Sequence, residues 1–238
     1  MTIEEEVLIL KEVNYKENDK ILHALSKTRG KIQLLSKGCR KNNSHLINAS
    51  QLFAYSNCTL FKSRDMYILT SAQLINSFYS LRNNMEGFFY GNYILELINY
   101  IAQENNVESK IFNMTITTLD FLSKSKNNYD KITATYELKL VSMLGYKPDF
   151  KHCMSCGAMI NSSAVFSIKD GGFYCRNCVI SGNGINVKYN EIITMDKILK
   201  IKFKDLNTIE ADGKIFNIIR KYLFYHIGKD NFTTLKLL

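Results

Sequence analysis

The stretch Ile21-Leu22-His23-Ala24-Leu25-Ser26-Lys27-Thr28-Arg29-Gly30-Lys31-Ile32-Gln33-Leu34-Leu35 decides the fold of the amino-terminal third. Two short apolar runs flank Lys27-Thr28-Arg29-Gly30, a polar tetrad that ends in glycine, which is the pattern of a β-hairpin. Upstream, Glu6-Val7-Leu8-Ile9-Leu10 is another apolar run. Downstream, Cys58-Thr59-Leu60-Phe61 and Met66-Tyr67-Ile68-Leu69 bracket a second polar turn, Lys62-Ser63-Arg64-Asp65. The count is about five strands with hairpin links and no long helix between them. A small barrel closes five strands without exposed edges, and the OB-fold is the commonest barrel of that size.

Beyond residue 80 the apolar period lengthens. Phe88, Ile94, Leu95, Ile98 and Ile101 stand at helical spacing, as do Ile111, Thr115, Leu119 and Leu122, then Ile132, Tyr136, Leu140, Met143 and Leu144. Gly145 follows where a left-handed helix cap is expected, and Pro148, the single proline, closes the stop. Helical spacing resumes at Ile192, Met195, Ile198 and Leu199, and again at Ile215, Ile218, Ile219, Leu223 and Phe224. The reading is α+β in three parts: a five-stranded OB-fold barrel over 1–80, a helical domain over 81–150 and 185–238, and an insertion over 151–184.

The insertion carries Cys153-Met154-Ser155-Cys156 and Cys175-Arg176-Asn177-Cys178, with eighteen residues between the pairs. Two residues between ligands let one tight turn aim two sulfurs at one ion, and two such knuckles supply four thiolates in a tetrahedron. Gly157 permits the knuckle's backbone, and Asp170-Gly171-Gly172 reads as a turn between strands Val165–Ile168 and Phe173-Tyr174. This is the pattern of a zinc ribbon. Four sulfurs leave no position for water, so the expected Zn2+ is structural, and the segment has too few apolar residues to fold without it. His152 is surplus to the set, and Cys39 and Cys58 read as buried small apolar residues.

The chain has 238 residues, 46% apolar, with 31 Lys and Arg against 22 Asp and Glu, a net charge of +9. A packed core is feasible, and the balance points to polyanionic partners. The start, Met1-Thr2-Ile3-Glu4-Glu5-Glu6, is acidic where a secretion signal is basic, and no stretch approaches the ~18 apolar residues of a membrane span. The expectation is a cytoplasmic protein with no membrane partner. Between Lys20 and Arg64 there is no Asp or Glu, while Lys27, Arg29, Lys31, Lys37, Arg40, Lys41, Lys62 and Arg64 all lie there. Gathered on one rim of the barrel, these eight would make a groove for DNA phosphates, with Phe53, Tyr55, Phe61 and Tyr67 as candidate stacking aromatics. Five such contacts would give a salt slope on the order of −3 to −4 on single strands.

No catalytic constellation accompanies them. The phosphate loop, the zinc-protease helix and the hydrolase elbow are all absent, and neither C-x-x-C has the proline and H-x-E partner of a zinc deaminase. The expectation is a non-enzyme. A generic zinc-ribbon nucleic-acid module of transcription or translation is the alternative.

Three places resemble the bacterial RecO family. They are Asp19-Lys20-Ile21-Leu22 through Arg29-Gly30-Lys31 to Lys37-Gly38-Cys39-Arg40-Lys41 and Ser44; Leu144-Gly145-Tyr146-Lys147-Pro148 with the four cysteines and Gly171-Gly172-Phe173-Tyr174; and Arg220-Lys221-Tyr222-Leu223 through His226-Ile227-Gly228. The resemblance implies a DNA repair and recombination mediator, associated with the nucleoid, that binds single- and double-stranded DNA and anneals complementary strands. It implies a complex with RecR, contact with the acidic tail of single-strand-binding protein, and indirect help in loading RecA. It places DNA contact on Lys37, Arg40 and Lys41. Cys39 stands where a small residue such as alanine is usual in the family.

Overall fold

The computed structural model describes residues 1–64, 66–104, 109–179 and 184–237. Asp65 of the second hairpin turn, residues 180–183 of the insertion and Leu238 lie outside the described residues. The chain forms two compact units, one of Met1–Lys126 with Phe232–Leu238, the other of Asn127–Asn231.

The first unit opens with a closed barrel of β1 (Thr2–Tyr15), β2 (Asp19–Ser26), β3 (Gly30–Ser36), β4 (Tyr55–Lys62) and β5 (Tyr67–Asn76), in the order β1-β2-β3-β5-β4. Both expected hairpins are present as antiparallel ladders, β2 with β3 and β4 with β5. Closure comes from a short parallel pairing of Leu34 and Leu35 on β3 with Tyr67 and Ile68 on β5. This five-stranded Greek-key closure is the OB-fold arrangement. Val7, Ile9, Leu22, Ala24, Leu34 and Leu60 fill its interior. Cys39 and Cys58 are buried in the same cluster, as expected.

The run Val7-Leu8-Ile9-Leu10 is buried along its whole length. Alternation sends Val7 and Ile9 into the barrel and Leu8 and Leu10 to the opposite face. A continuous apolar run therefore marks a strand covered on both sides. The outer cover is helical: α1 (Tyr79–Arg82), α2 (Met85–Ile101) and α3 (Ser109–Lys124) belong to this unit, and α2 packs on β1. Asn84 caps α2 by accepting from the Gly87 amide, and Lys31 donates to the Asn99 carbonyl in its last turn at 2.7 Å, where a cation complements the helix dipole.

The final segment returns to α2. Phe232 lies edge-on to Tyr93 and Tyr100, with ring centroids 5.7 and 6.1 Å away. The Glu96 carboxylate accepts from the amides of Thr233 and Thr234, both at 3.0 Å, and from the Thr234 hydroxyl at 2.7 Å. Charge-assisted bonds of this kind contribute more than neutral ones. Glu96→Ala is expected to destabilise the first unit by about 1–2 kcal/mol. Amide exchange at Thr233 and Thr234 should accelerate while exchange in β2 and β3 changes little, and unchanged exchange at both amides would refute the Glu96 contact.

The second unit holds α4 (Tyr129–Met143), α5 (Tyr189–Lys200), α6 (Gly213–Ile227) and the cysteine-bearing sheet, with α4 packed against both other helices. α4 ends as the sequence predicts: Gly145 has φ +98° and Tyr146 N–H returns to the Val141 carbonyl at 3.1 Å. Ile132, Tyr136 and Leu140 are buried, and so is Glu137, whose carboxylate meets Arg220 of α6 at 2.9 Å. The sheet has four strands, ordered β6 (Asp149–Cys153), β8 (Gly172–Tyr174), β7 (Ala164–Ser167) and β9 (Ile185–Val187). The Asp170-Gly171-Gly172 turn joins β7 to β8 as expected, while β6 and β9 add outer strands that the sequence reading did not include. These two compact units divide the helices differently from the three sequence segments: α1–α3 sit with the barrel and α4–α6 with the ribbon.

Candidate nucleic-acid interface and metal centre

The metal centre is built from two knuckles. At the first, Gly157 N–H donates to the Cys153 carbonyl at 2.9 Å with Gly157 at φ +70°, and Cys153 N–H donates to Ala158 at 2.8 Å. At the second, Cys178 N–H donates to the Cys175 carbonyl at 2.9 Å. β8 joins them, since Met154 N–H donates to the Phe173 carbonyl at 2.9 Å. The sulfurs of Cys153, Cys156, Cys175 and Cys178 all lie within 4.8 Å of one another. Metal–sulfur bonds of about 2.3 Å in a tetrahedron need sulfur separations of roughly 3.8 Å, so the four fit one ion with little adjustment. Cys175 N–H also points at the Cys153 sulfur, 3.4 Å away. Such donors, from Cys156, Cys175 and Ser155, outweigh burial and bring the Cys153 thiol down to about 6. Cys178 is pushed up to about 12 by hydrogen bonds with the neighbouring Cys156 and Cys175 sulfurs, which favour its protonated form. Four soft donors at this spacing can hold one metal ion. His152 stands outside the set, half exposed, with its ring toward Asp149.

The predicted DNA-binding cations do not gather on one rim. Lys27 and Arg29, in the β2–β3 turn, face Glu6 and Glu5 of β1. Glu5 also accepts from the Thr28 amide and hydroxyl, at 3.0 and 2.6 Å, so this turn is tied down by acids that precede the acid-free stretch in sequence but adjoin it in space. Lys27 and the Tyr55 phenol hold the Glu6 carboxyl below its usual range. Lys62 is at this same end, its amide bonded to the Met1 carbonyl, and Arg64 follows it, exposed. Lys37, Arg40 and Lys41 lie at the other end of β2 and β3. There Gly38 N–H donates to the Asp19 carboxylate at 2.7 Å, Arg40 N–H to the Asn18 carbonyl at 3.0 Å, and the Arg40 guanidinium to the Glu17 carbonyl at 3.0 Å. Seven residues of β3 separate the two groups, roughly 20 Å.

Two cations lie between these ends on the outer face. Lys11 is the cross-strand partner of His23, and Lys31 is close enough to act on the same imidazole. Burial, then Lys31 and Lys11, push the His23 pKa down. Lys31 itself is shared with α2, as described above. The cations are therefore spread over both ends of these strands and the face between them, and Lys11, on β1 opposite His23, is one that sequence reading missed. Lys11 sits next to Glu12, outside the acid-free stretch, and only the register places it here.

The aromatics also sort differently. Phe53 is fully buried, edge-on to Phe88. Tyr55 donates to Glu6 and packs edge-on to Phe112 at 5.9 Å. Tyr67 packs against the barrel core. Phe61 alone of the four expected is solvent-facing, at 43% exposure. Tyr15, not among them, is 39% exposed and carries the Lys16 ammonium 5.3 Å from its ring centroid.

No helix among the described residues is long and apolar enough to cross a membrane. The model of the recombination protein O amino-terminal region matches residues 1–78, and that of its carboxy-terminal region matches residues 82–236. A protein of Acetivibrio thermocellus named DNA repair protein RecO is 32% identical over 90% of this chain and 86% of its own length. Proteins of the same name from Alkaliphilus metalliredigens and Clostridium novyi are each 30% identical, covering 100% and 93% of this chain and 98% and 86% of their own lengths.

Proposed function

Because the chain belongs to the recombination protein O family, we propose that it serves DNA repair and recombination by binding DNA, not by catalysis. The observation that supports this reading is the set of cations on the barrel: Lys37, Arg40 and Lys41 just past the end of β3, Lys62 and Arg64 where β4 ends, and Lys11 of β1 opposite His23 of β2. Lys27, Arg29 and Lys31 contribute to the field but already hold partners of their own. OB-folds use the strand 2–3 face and its flanking loops to bind oligonucleotides. A cationic face can screen the phosphates of two strands while their base edges stay free to pair, so strand annealing needs no catalytic residue.

The metal held by Cys153, Cys156, Cys175 and Cys178 is Zn2+ in this reading. A closed four-sulfur sphere supplies structure to the knuckles and offers no open position for chemistry. Residues 1–80 are the DNA module, 151–184 the ribbon, and 81–150 with 185–238 the helical part. The protein acts in the cytoplasm at the nucleoid, with RecR and the tail of single-strand-binding protein as partners, and helps load RecA.

The test is annealing of complementary strands coated with single-strand-binding protein, without nucleotide, together with a salt titration of DNA affinity. Replacing Lys37, Arg40 and Lys41 by alanine is expected to make the single-strand salt slope shallower by about 2, at about 0.7 per lost phosphate contact. The thermal midpoint should move little, since exposed side chains away from packing are worth within about 0.5 kcal/mol. An unchanged slope, or no annealing by the unaltered protein, would overturn the reading.

A further inference from the structure

Past the irregularity between Ile9 and Lys11, the first three strands run on in register, and one face of them is neither core nor covered by a helix among the described residues. Cross-strand pairing sets Val13 opposite Ile21 and Ile21 opposite Leu35. One step toward the β1–β2 turn, Tyr15 lies opposite Asp19; one step back, Lys11 lies opposite His23 and His23 opposite Gln33. Leu22, Ala24 and Leu34 point into the barrel, so these alternate residues point out. Val13 and Tyr15 are 42% and 39% exposed, and Ile21 and Leu35 are partly so.

The result is a small apolar shelf with a ring at its end, bounded by cations. Lys11 stands on one side, Lys16 lies against the ring, and Arg40 reaches the Glu17 carbonyl two residues from Tyr15. Lys37 directly precedes Gly38, whose amide binds the Asp19 carboxylate, and Lys41 lays its aliphatic stem over Gly38. Of the acids nearby, Glu12 is paired with Lys20 and Asp19 holds the Gly38 amide, which leaves Glu17 among the five cations. A shelf for another protein would suit apolar side chains, but a cationic rim favours a ligand that is anionic at its edge and flat and apolar at its centre. Nucleotides released from a duplex have that chemistry.

We infer that the Val13–Tyr15–Ile21–Leu35 face is a platform for unpaired bases, with Tyr15 stacking on one of them while Lys16, Lys37, Arg40 and Lys41 hold the flanking phosphates. The inference rests on the DNA-binding reading and sharpens it: the barrel distinguishes single strands from duplex, because a base inside a duplex has no free face to offer Tyr15.

The chain contains no tryptophan, so Tyr15→Trp puts the sole indole on the shelf. Its fluorescence should be quenched as a single-stranded oligothymidylate binds and barely change with a duplex of equal length. In parallel, anisotropy with both DNAs would compare the unaltered protein, Tyr15→Phe and Tyr15→Ala. Tyr15→Phe should keep single-strand affinity within about twofold. Tyr15→Ala should lose about 5- to 100-fold on single strands, the range for one base–aromatic stack, with duplex affinity and the salt slope unchanged. Equal loss on both DNAs, no loss on single strands, or an indole indifferent to bound oligothymidylate would each overturn the platform while leaving the DNA-binding reading intact. If the unaltered protein binds neither DNA, both fall.

Discussion

Cys156→Ser is expected to abolish stoichiometric metal binding and to melt both cysteine knuckles. The ribbon strands are only three to five residues long. Phe166 and Phe173 supply the buried apolar contacts, with Phe166 against Tyr222 of α6 at 5.3 Å, but Cys156, Cys175 and Cys178 are all partly or largely exposed. Little besides a cation can therefore hold the loops around them. Structural zinc contributes about 10–16 kcal/mol in small zinc-finger peptides, as much as or more than a whole domain's net stability. Serine replaces a soft thiolate by a hard, protonated hydroxyl and leaves three sulfurs. Metal analysis should find zinc lost, and hydrogen exchange should lose protection over residues 153–157 and 175–178. The barrel strands lie in the other unit and should keep theirs. Full metal retention in Cys156→Ser would refute the four-sulfur site.

The second large effect is expected at Arg220. Glu137 is fully buried on α4, and its carboxylate meets Arg220 at 2.9 Å. Arg220→Ala removes one charge of this pair, and breaking a buried pair from one side costs about 3–5 kcal/mol. Glu137→Leu on top of it should recover much of that loss, since the double replacement removes both charges. Chemical denaturation of the single and double variants checks this, and no recovery in the double variant would refute the coupling between the two side chains.

How much of this could be read in advance depended on how local each signal was. The ribbon was legible because its four ligands form two i, i+3 pairs that one tight turn each can serve. The β2–β3 and β4–β5 hairpins were legible for the same reason, since each turn lies between its own strands. The closed barrel was expected from the strand count, but the pairing that closes it was not: it rests on two residues of β3 and two of β5, about thirty positions apart, with no turn to announce them. β6 and β9 escaped because strands this short hold too few apolar residues to show a period. The set of cations was half legible. Counting acids along the chain singled out Lys27 and Arg29, yet folding brings Glu5 and Glu6 of β1 against them. The same count passed over Lys11, Tyr15 and Lys16 because Glu12, Glu17 and Asp19 are interleaved with them. Only the register shows which of those neighbours share a face.

The chain leaves the first compact unit at Lys126 and returns to it at Phe232, after the whole of the second has been traversed. Ribosomes make proteins from the amino terminus, so Tyr93, Glu96 and Tyr100 emerge well before the residues that cover them. Throughout synthesis of residues 127–231 this patch of α2 stays uncovered, and the barrel unit reaches its final form only once Phe232–Thr234 have cleared the exit tunnel. The earlier unit is thus the later one to finish, and a nascent chain arrested in the second would carry a barrel whose helix still awaits its last contact.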